Sequence, residues 1–511
     1  MSTSLIRSLW VGPMLRVGLI AALAVALDPV SAALADPTSS APATTLEELL
    51  APVAKDKLFT VAKLGLQVVN LRTGEEVFAR NADTALIPAS TMKIVTSAAA
   101  LKRLGPNYRF TTDIYIDGEV DGSGKLQGNL YVRGHGDPTL VIEKLWKLVY
   151  DIKLYGIEEI EGDVIFDETF FDASYELPGW DKLSDEREGP SYFPSLGALS
   201  LNTNTVALVI RPGATVGSTA RVVLETPASD YITVDNQLKT GSDRSRYWFD
   251  IDRTMKDGKL DFKIEGSVPS DQEVEREYRT ILDPTANFMA SFHDMMRQQG
   301  IDVSGRYKRG LAPSSADIIM QLRSPPLAQI VADMDKYSYN FHAEQVLKVL
   351  GAEVLGPPGT TEKGLQVIRD YFTEIGVEPG DYHLVNGSGL SRDTYFRPSA
   401  LTALLVDMAH DEKVGSEFNA ALAIAGVDGT LSRRLREDPA KMRGKTGTLD
   451  GVHCLAGYID AADGERYAFA FLANGDRATS ASVKALQDRF ARALLASPPG
   501  AATADGSDAE D

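Results

Sequence analysis

The chain has 511 residues, 44% hydrophobic and 24% charged, the make-up of a soluble globular protein with a large core rather than of a disordered or membrane-embedded one. A formal net charge of -19 argues against nucleic acid or an anionic membrane as partner, because a phosphate surface would be repelled. The single cysteine, Cys454, excludes an intrachain disulfide, and the six scattered histidines (His135, His293, His342, His383, His410, His453) lack metal-ligand spacing, so no metal or other cofactor is expected.

In chain order, Arg7 and Arg16 precede an apolar run from Val17 to Leu27, and a small-residue site, Ala33-Leu34-Ala35, follows. This pattern predicts a signal peptide over 1–35, too short to span a bilayer, and therefore an exported protein of the periplasm or cell-wall space with no membrane span after cleavage. A Pro/Ser/Ala/Thr linker over 37–45 follows, and residues 497–511 have no apolar side chain larger than alanine, so they predict a disordered acidic tail.

Between these ends, Leu64 to Asn70 and Glu76 to Arg80 flank a turn at 72–75 and predict a β-hairpin. Residues 90–101 are small and apolar nearly all round and predict a buried helix. From Arg109 to about Thr280, short alternating runs between Gly, Asp and Pro turns predict a mainly β region. Helical patterns return with 288–299 and 340–355, and the chain closes with a hairpin over 452–473 and a helix over 482–495. The expected fold is α/β, helices packed on an antiparallel sheet, interrupted by a large β-rich insert. The expected division is 36–108 with 283–496 as a split catalytic domain and 109–282 as the insert.

Ser90 and Lys93 stand three apart at the start of the buried helix, so the amine can reach the hydroxyl, and burial would leave it neutral and basic. One Ser-x-x-Lys is weak evidence by itself, but the chain also offers Ser-x-Asn and Lys-Thr-Gly, each twice. Ser200-Leu201-Asn202 and Lys239-Thr240-Gly241 lie in the β region, where the second reads as an ordinary turn. Ser338-Tyr339-Asn340 opens a helix, and Lys445-Thr446-Gly447-Thr448 leads into the closing hairpin, which can set an edge strand beside the nucleophile. The second pair is therefore preferred.

With these motifs stand Gly136-Asp137-Pro138, Ala343-Glu344, Gly387-Ser388-Gly389-Leu390-Ser391-Arg392 and Gly426-Val427-Asp428-Gly429-Thr430-Leu431. In content and order the chain, from about Leu49 to Leu495, resembles the class C low-molecular-mass penicillin-binding proteins, the D-alanyl-D-alanine carboxypeptidase/endopeptidase (penicillin-binding protein 4) type. About 240 residues separate Lys93 from Ser338, as the extra domains of that family require. One departure is His135, where the family pattern suggests glycine; a positive φ there would make histidine costly.

The resemblance implies a penicillin-binding/β-lactamase-like fold and peptidoglycan stem peptides as substrate, with β-lactams as covalent inhibitors. Ser90 would be the nucleophile, Lys93 its base and Ser338 a proton relay. Asn340, Lys445, Thr446, Gly447 and Thr448 would bind substrate, with the backbone N–H groups of Ser90 and Thr448 holding the oxyanion. No glutamate is evident for activating a deacylating water, so slow loss of penicillin is expected. A catalytically silent peptidoglycan-binding scaffold and a serine β-lactamase are the competing readings. A Ser-His-Asp hydrolase lacks its Gly-x-Ser-x-Gly elbow, and His453 and Cys454 are expected to be packing residues.

Overall fold

The computed structural model describes residues 45–180, 189–225 and 230–497. The expected signal segment and, apart from Ser497, the expected tail lie outside the described residues.

The first and last parts of the described chain build one antiparallel sheet. Its strands run in the order Glu76–Arg80, Lys63–Asn70, Arg466–Asn474, Val452–Asp460, Met442–Leu449, Ala423–Ile424. The two long closing strands are apolar almost throughout because helices cover both faces. Phe469 and Phe471 point to a core made with Leu46–Ala54 and Ser480–Leu495, while Ala468, Ala470 and Leu472 point to the other core. That second core holds the helix Met92–Leu104, packed among Leu327–Tyr337, Asn340–Leu355, Thr361–Glu374 and Pro398–His410. Ala98, Ala99 and Ala100 let that helix pack closely on Asn340–Leu355, which explains the small-residue run of the sequence, while alanines 456, 468 and 470 face the same core from the sheet, where Pro398–His410 lies on the strands. Cys454 is buried there, its thiol pushed up to about 12 by burial, and His453 is buried as well.

The inserted region carries its own sheets. Five strands pair in the order Tyr307–Arg309, Val164–Asp167, Leu130–Gly134, Thr111–Ile116, Asp317–Arg323. A three-stranded sheet centred on Thr205–Arg211 and a four-stranded one centred on Lys259–Pro269 share a separate core that includes Leu208, Ile210, Phe262 and Ile264.

Just beyond the expected boundary at 283 the chain still packs on the β-rich region. The helix Pro284–Gln299 buries Phe288, Phe292, Met295 and Met296 against Leu145, Leu148 and Ile152 of the helix Ile142–Leu154, and the strands at 307–309 and 317–323 complete the five-stranded sheet. Residues 284–323 therefore pack with the insert, and the elements around Ser90 resume at Leu327. An amphipathic stripe says that a helix has a core to cover and not which core.

The two motif duplicates are structural. Lys239–Gly241 is a strand pairing with Ser267 to Pro269. Ser200 is buried and accepts from Asn204, while the Asn202 side chain caps Ile142 N. His135 carries no strain of the suspected kind: the left-handed residue is Gly136, φ 74°, where a Cβ would lie 2.5 Å from the Phe171 ring.

Candidate active site

The nucleophile candidate sits on a strained turn. Ala89, immediately before it, has φ 46°, a region that non-glycine residues rarely occupy, and a 3-10 turn over Ala89–Thr91 runs into the helix Met92–Leu104. Two glycines let neighbouring segments close on this turn. A Cβ on Gly447 would lie 2.5 Å from Pro88 O, and one on Gly389 would lie 2.0 Å from Ala89 O. The strand Met442–Leu449 pairs with Ala423–Ile424 only at Arg443 and Gly444, so from Lys445 onward its outer edge is open beside Ser90.

Lys93, one helical turn after Ser90, is fully buried. Its Nζ lies 3.0 Å from Ser90 Oγ, 2.7 Å from Asn340 Oδ1 and 2.8 Å from the Ser388 carbonyl. Burial above all, then the nearby Lys445 charge, holds its amine well below the ordinary lysine value, against the opposing pull of Glu344 and Asp335.

Ser338 is the left-handed residue (φ 64°, ψ 39°) that ends the helix Leu327–Tyr337, and its hydroxyl accepts a 2.9 Å bond from Lys445 Nζ. Lys445 also donates to the Thr446 carbonyl at 2.7 Å, and burial lowers its pKa to about 8 while Asp335 pulls the other way. Asn340 opens the helix Asn340–Leu355 and donates through Nδ2 to the Tyr192 carbonyl at 2.9 Å.

The structure therefore gathers two hydrogen-bonded groups, Ser90–Lys93–Asn340 and Ser338–Lys445, each with a Ser–Lys pair, close enough that the Lys445 charge acts on Lys93. Gly447 lies against the turn itself. Thr446 bonds at 2.8 Å to Thr430, on the turn Gly429–Leu431, and Thr448 is exposed at the strand's end. Among the described residues no group of three or more His, Cys, Asp and Glu side chains could hold a metal ion.

Sequence reasoning missed a buried carboxylate, Asp335. It accepts a 2.6 Å bond from Ser97, and burial raises its pKa to about 6 although Ser97 and the two lysines favour its charge. The signal was present: Leu327, Ile330, Val331 and Met334 form the apolar stripe of their helix, and Asp335 falls on it. The reach of Ser388 to Lys93 was also missed, since a backbone carbonyl leaves no mark in a sequence.

An antiparallel sheet covered by helices, with a serine–lysine pair one turn apart against its edge strand, defines the class of penicillin-binding proteins and serine β-lactamases. Comparison with known proteins narrows this. Residues 46–494 match the D-Ala-D-Ala carboxypeptidase 3 (S13) family. A D-alanyl-D-alanine carboxypeptidase of Actinomadura sp. (strain R39) is 32% identical over 84% of this chain and 81% of its own. The D-alanyl-D-alanine carboxypeptidase DacB of Haemophilus influenzae is 26% identical over 82% of this chain and 87% of its own. The crystal structure of penicillin binding protein 4 (dacB) from Haemophilus influenzae shares the fold, with TM-score 0.76 and 24% identity over 88% of this chain and 99% of that one. The chain belongs to the D-Ala-D-Ala carboxypeptidase 3 (S13) family and is a peptidase.

Proposed function

We propose that Ser90 attacks the carbonyl between two D-alanines of a peptidoglycan stem peptide, forming an ester that water then hydrolyses, and that penicillin is trapped as the same ester. The observation that carries this reading is the contact of the desolvated Lys93 amine with Ser90 Oγ at 3.0 Å, which gives the hydroxyl a base. Lys93 takes the proton, and Ser338, bonded to Lys445, returns one to the leaving amine. The N–H groups of Ser90 and Thr448 receive the oxyanion, a role that suits the close approach of the 442–449 strand to the turn. Asn340 serves as substrate-facing amide. Lys445 with Thr446 and Thr448 receives the substrate carboxylate, and Gly447 keeps that strand within reach.

Covalent labelling tests this directly. Incubation with a labelled penicillin and peptide mapping by mass spectrometry should place a persistent adduct on Ser90; a folded protein that takes no label would turn the reading to a silent scaffold. The label should be lost slowly, because the two buried carboxylates near the site are fully shielded from solvent. Glu344 accepts from Gly387 and Ser388 N–H, and Asp335 accepts from Ser97. Many nitrocefin turnovers per second would instead identify a β-lactamase.

The pH profile has a definite sign. The kcat/KM for a carboxylate-bearing peptide should rise with pH as Lys93 loses its proton, then fall near about 8 as Lys445 loses its own. Lys445→Ala should cost roughly 10- to 100-fold in kcat/KM, the worth of a charge-assisted hydrogen bond, and should cost less on substrates lacking the carboxylate. Equal losses on both substrates would contradict the assignment. We also propose action outside the cytoplasm, in keeping with the family's cell-wall substrate. No helix among the described residues is long and apolar enough to cross a membrane.

A further inference from the structure

The three contacts of Lys93 differ in kind. The Ser388 carbonyl can only accept. Asn340 is fixed independently, because its Nδ2 donates to the Tyr192 carbonyl, so Oδ1 is the atom that faces Lys93. A neutral amine has two N–H bonds and one lone pair. Two pure acceptors at 2.7 and 2.8 Å claim both N–H bonds, and the lone pair is left for the third neighbour, Ser90 Oγ, whose O–H must donate. The acceptors thereby aim the base.

One helix governs both acceptors. Asn340 opens the helix Asn340–Leu355, and Glu344, four residues on, lies on the same face. Glu344 is fully buried, and its Oε1 and Oε2 accept from Ser388 N at 2.7 Å and Gly387 N at 3.0 Å. The Gly387 carbonyl is pinned from the opposite side by Thr96 Oγ1 at 2.7 Å, on the nucleophile's own helix. We infer that Glu344 is a positioning residue for acylation: by gripping the Gly387-Ser388 backbone it fixes the Ser388 carbonyl that turns the Lys93 lone pair onto Ser90. A carboxylate is suited to this as glutamine is not, since two converging N–H donors need two acceptor atoms. The inference rests on the acyl-enzyme reading above.

The groups that act electrostatically on Lys93 are Lys445, which lowers its pKa, and Glu344 and Asp335, which both raise it, Glu344 the more. Glu344→Gln should therefore have two effects in stopped-flow acylation of the whole protein by penicillin between about pH 5 and 9. The plateau rate should fall about 100-fold, the cost of a misaimed reacting group. The acid limb should also move to lower pH, because a neighbouring negative charge is gone. Glu344→Asp, which keeps the charge and both acceptors, should recover much of the plateau and return the limb.

A wild-type plateau and limb in Glu344→Gln would overturn the inference. So would an unshifted limb with Glu344→Asp as slow as Glu344→Gln, the mark of lost packing alone. If Glu344→Gln does not fold, Thr96→Val removes the other pin on the same turn, and an unchanged plateau there would overturn it equally. Failure of the unaltered protein to acylate would sink the acyl-enzyme reading instead.

Discussion

Ser90→Ala is expected to abolish D-alanine release and penicillin labelling together, with the thermal midpoint moving by no more than a few degrees. The hydroxyl is half-exposed, so its loss stays within the small range of surface changes. Lys93 keeps its two acceptors, Asn340 Oδ1 and Ser388 O, and is not orphaned. The measurement is D-alanine release and adduct formation on the variant beside its melting curve. Label persisting on the variant would point to Ser338, the other hydroxyl bonded to a buried lysine. The two Ser–Lys pairs differ in the state of the amine. Lys93 is held well below the ordinary lysine value, while Lys445 is lowered only to about 8 and remains mostly a cation at neutral pH. A cation cannot accept a proton, which supports Ser90 as the proposed nucleophile.

Lys93→Met should lower acylation by roughly 10²- to 10⁴-fold, the usual worth of a positioned base, while leaving KM for peptides nearly unchanged. Methionine matches the length of the stem and adds no charge. A kcat loss without a KM loss marks a group that acts in the transition state; a parallel rise in KM would show that Lys93 holds bound substrate instead. Linkage gives an independent check on its neutrality. A lysine whose folded pKa lies below its unfolded value destabilises the protein at pH values under the folded pKa, and the penalty fades as pH rises toward 10.5. The variant lacks that slope, so the difference in stability between the two proteins should depend on pH in this sense.

Much of this site is written in local spacing. Ser90 and Lys93 sit one turn apart in an alanine-rich run that can only be a buried helix, and the hairpin after Lys445 announces its strand through apolar runs around 461–464. The ordinary turn expected at Lys239-Thr240-Gly241, before the polar Ser242-Asp243-Arg244-Ser245, is instead a strand, and a hairpin of Trp248–Lys256 with Lys259–Pro269 follows it. Long-range relations were not legible. Nothing local to Phe288 or Met295 says that their helix covers Leu145 rather than the core around Ser90. Asp335 reads as one of two acidic residues on a short helix until its stripe is drawn, and the Ser388 carbonyl has no side-chain signature at all.

The strand order of the main sheet sets the order in which the enzyme can assemble. Lys63–Asn70 pairs along its whole length with Arg466–Asn474, some 400 residues later in the chain, and the strand carrying Lys445 joins it only through Val452–Asp460. During synthesis the nucleophile helix therefore emerges long before the strand that completes its cleft, while the insert's sheets close among residues 111–323. Such distant pairing is slow, since loop closure must be met before any contact rewards it. The insert is free to fold first as a unit. A chain stopped after Lys445 but before Arg466 would carry Ser90, Lys93 and Lys445 without the central strand that joins Lys63–Asn70 to the strand of Lys445, so hydrolytic competence arrives in a single late step.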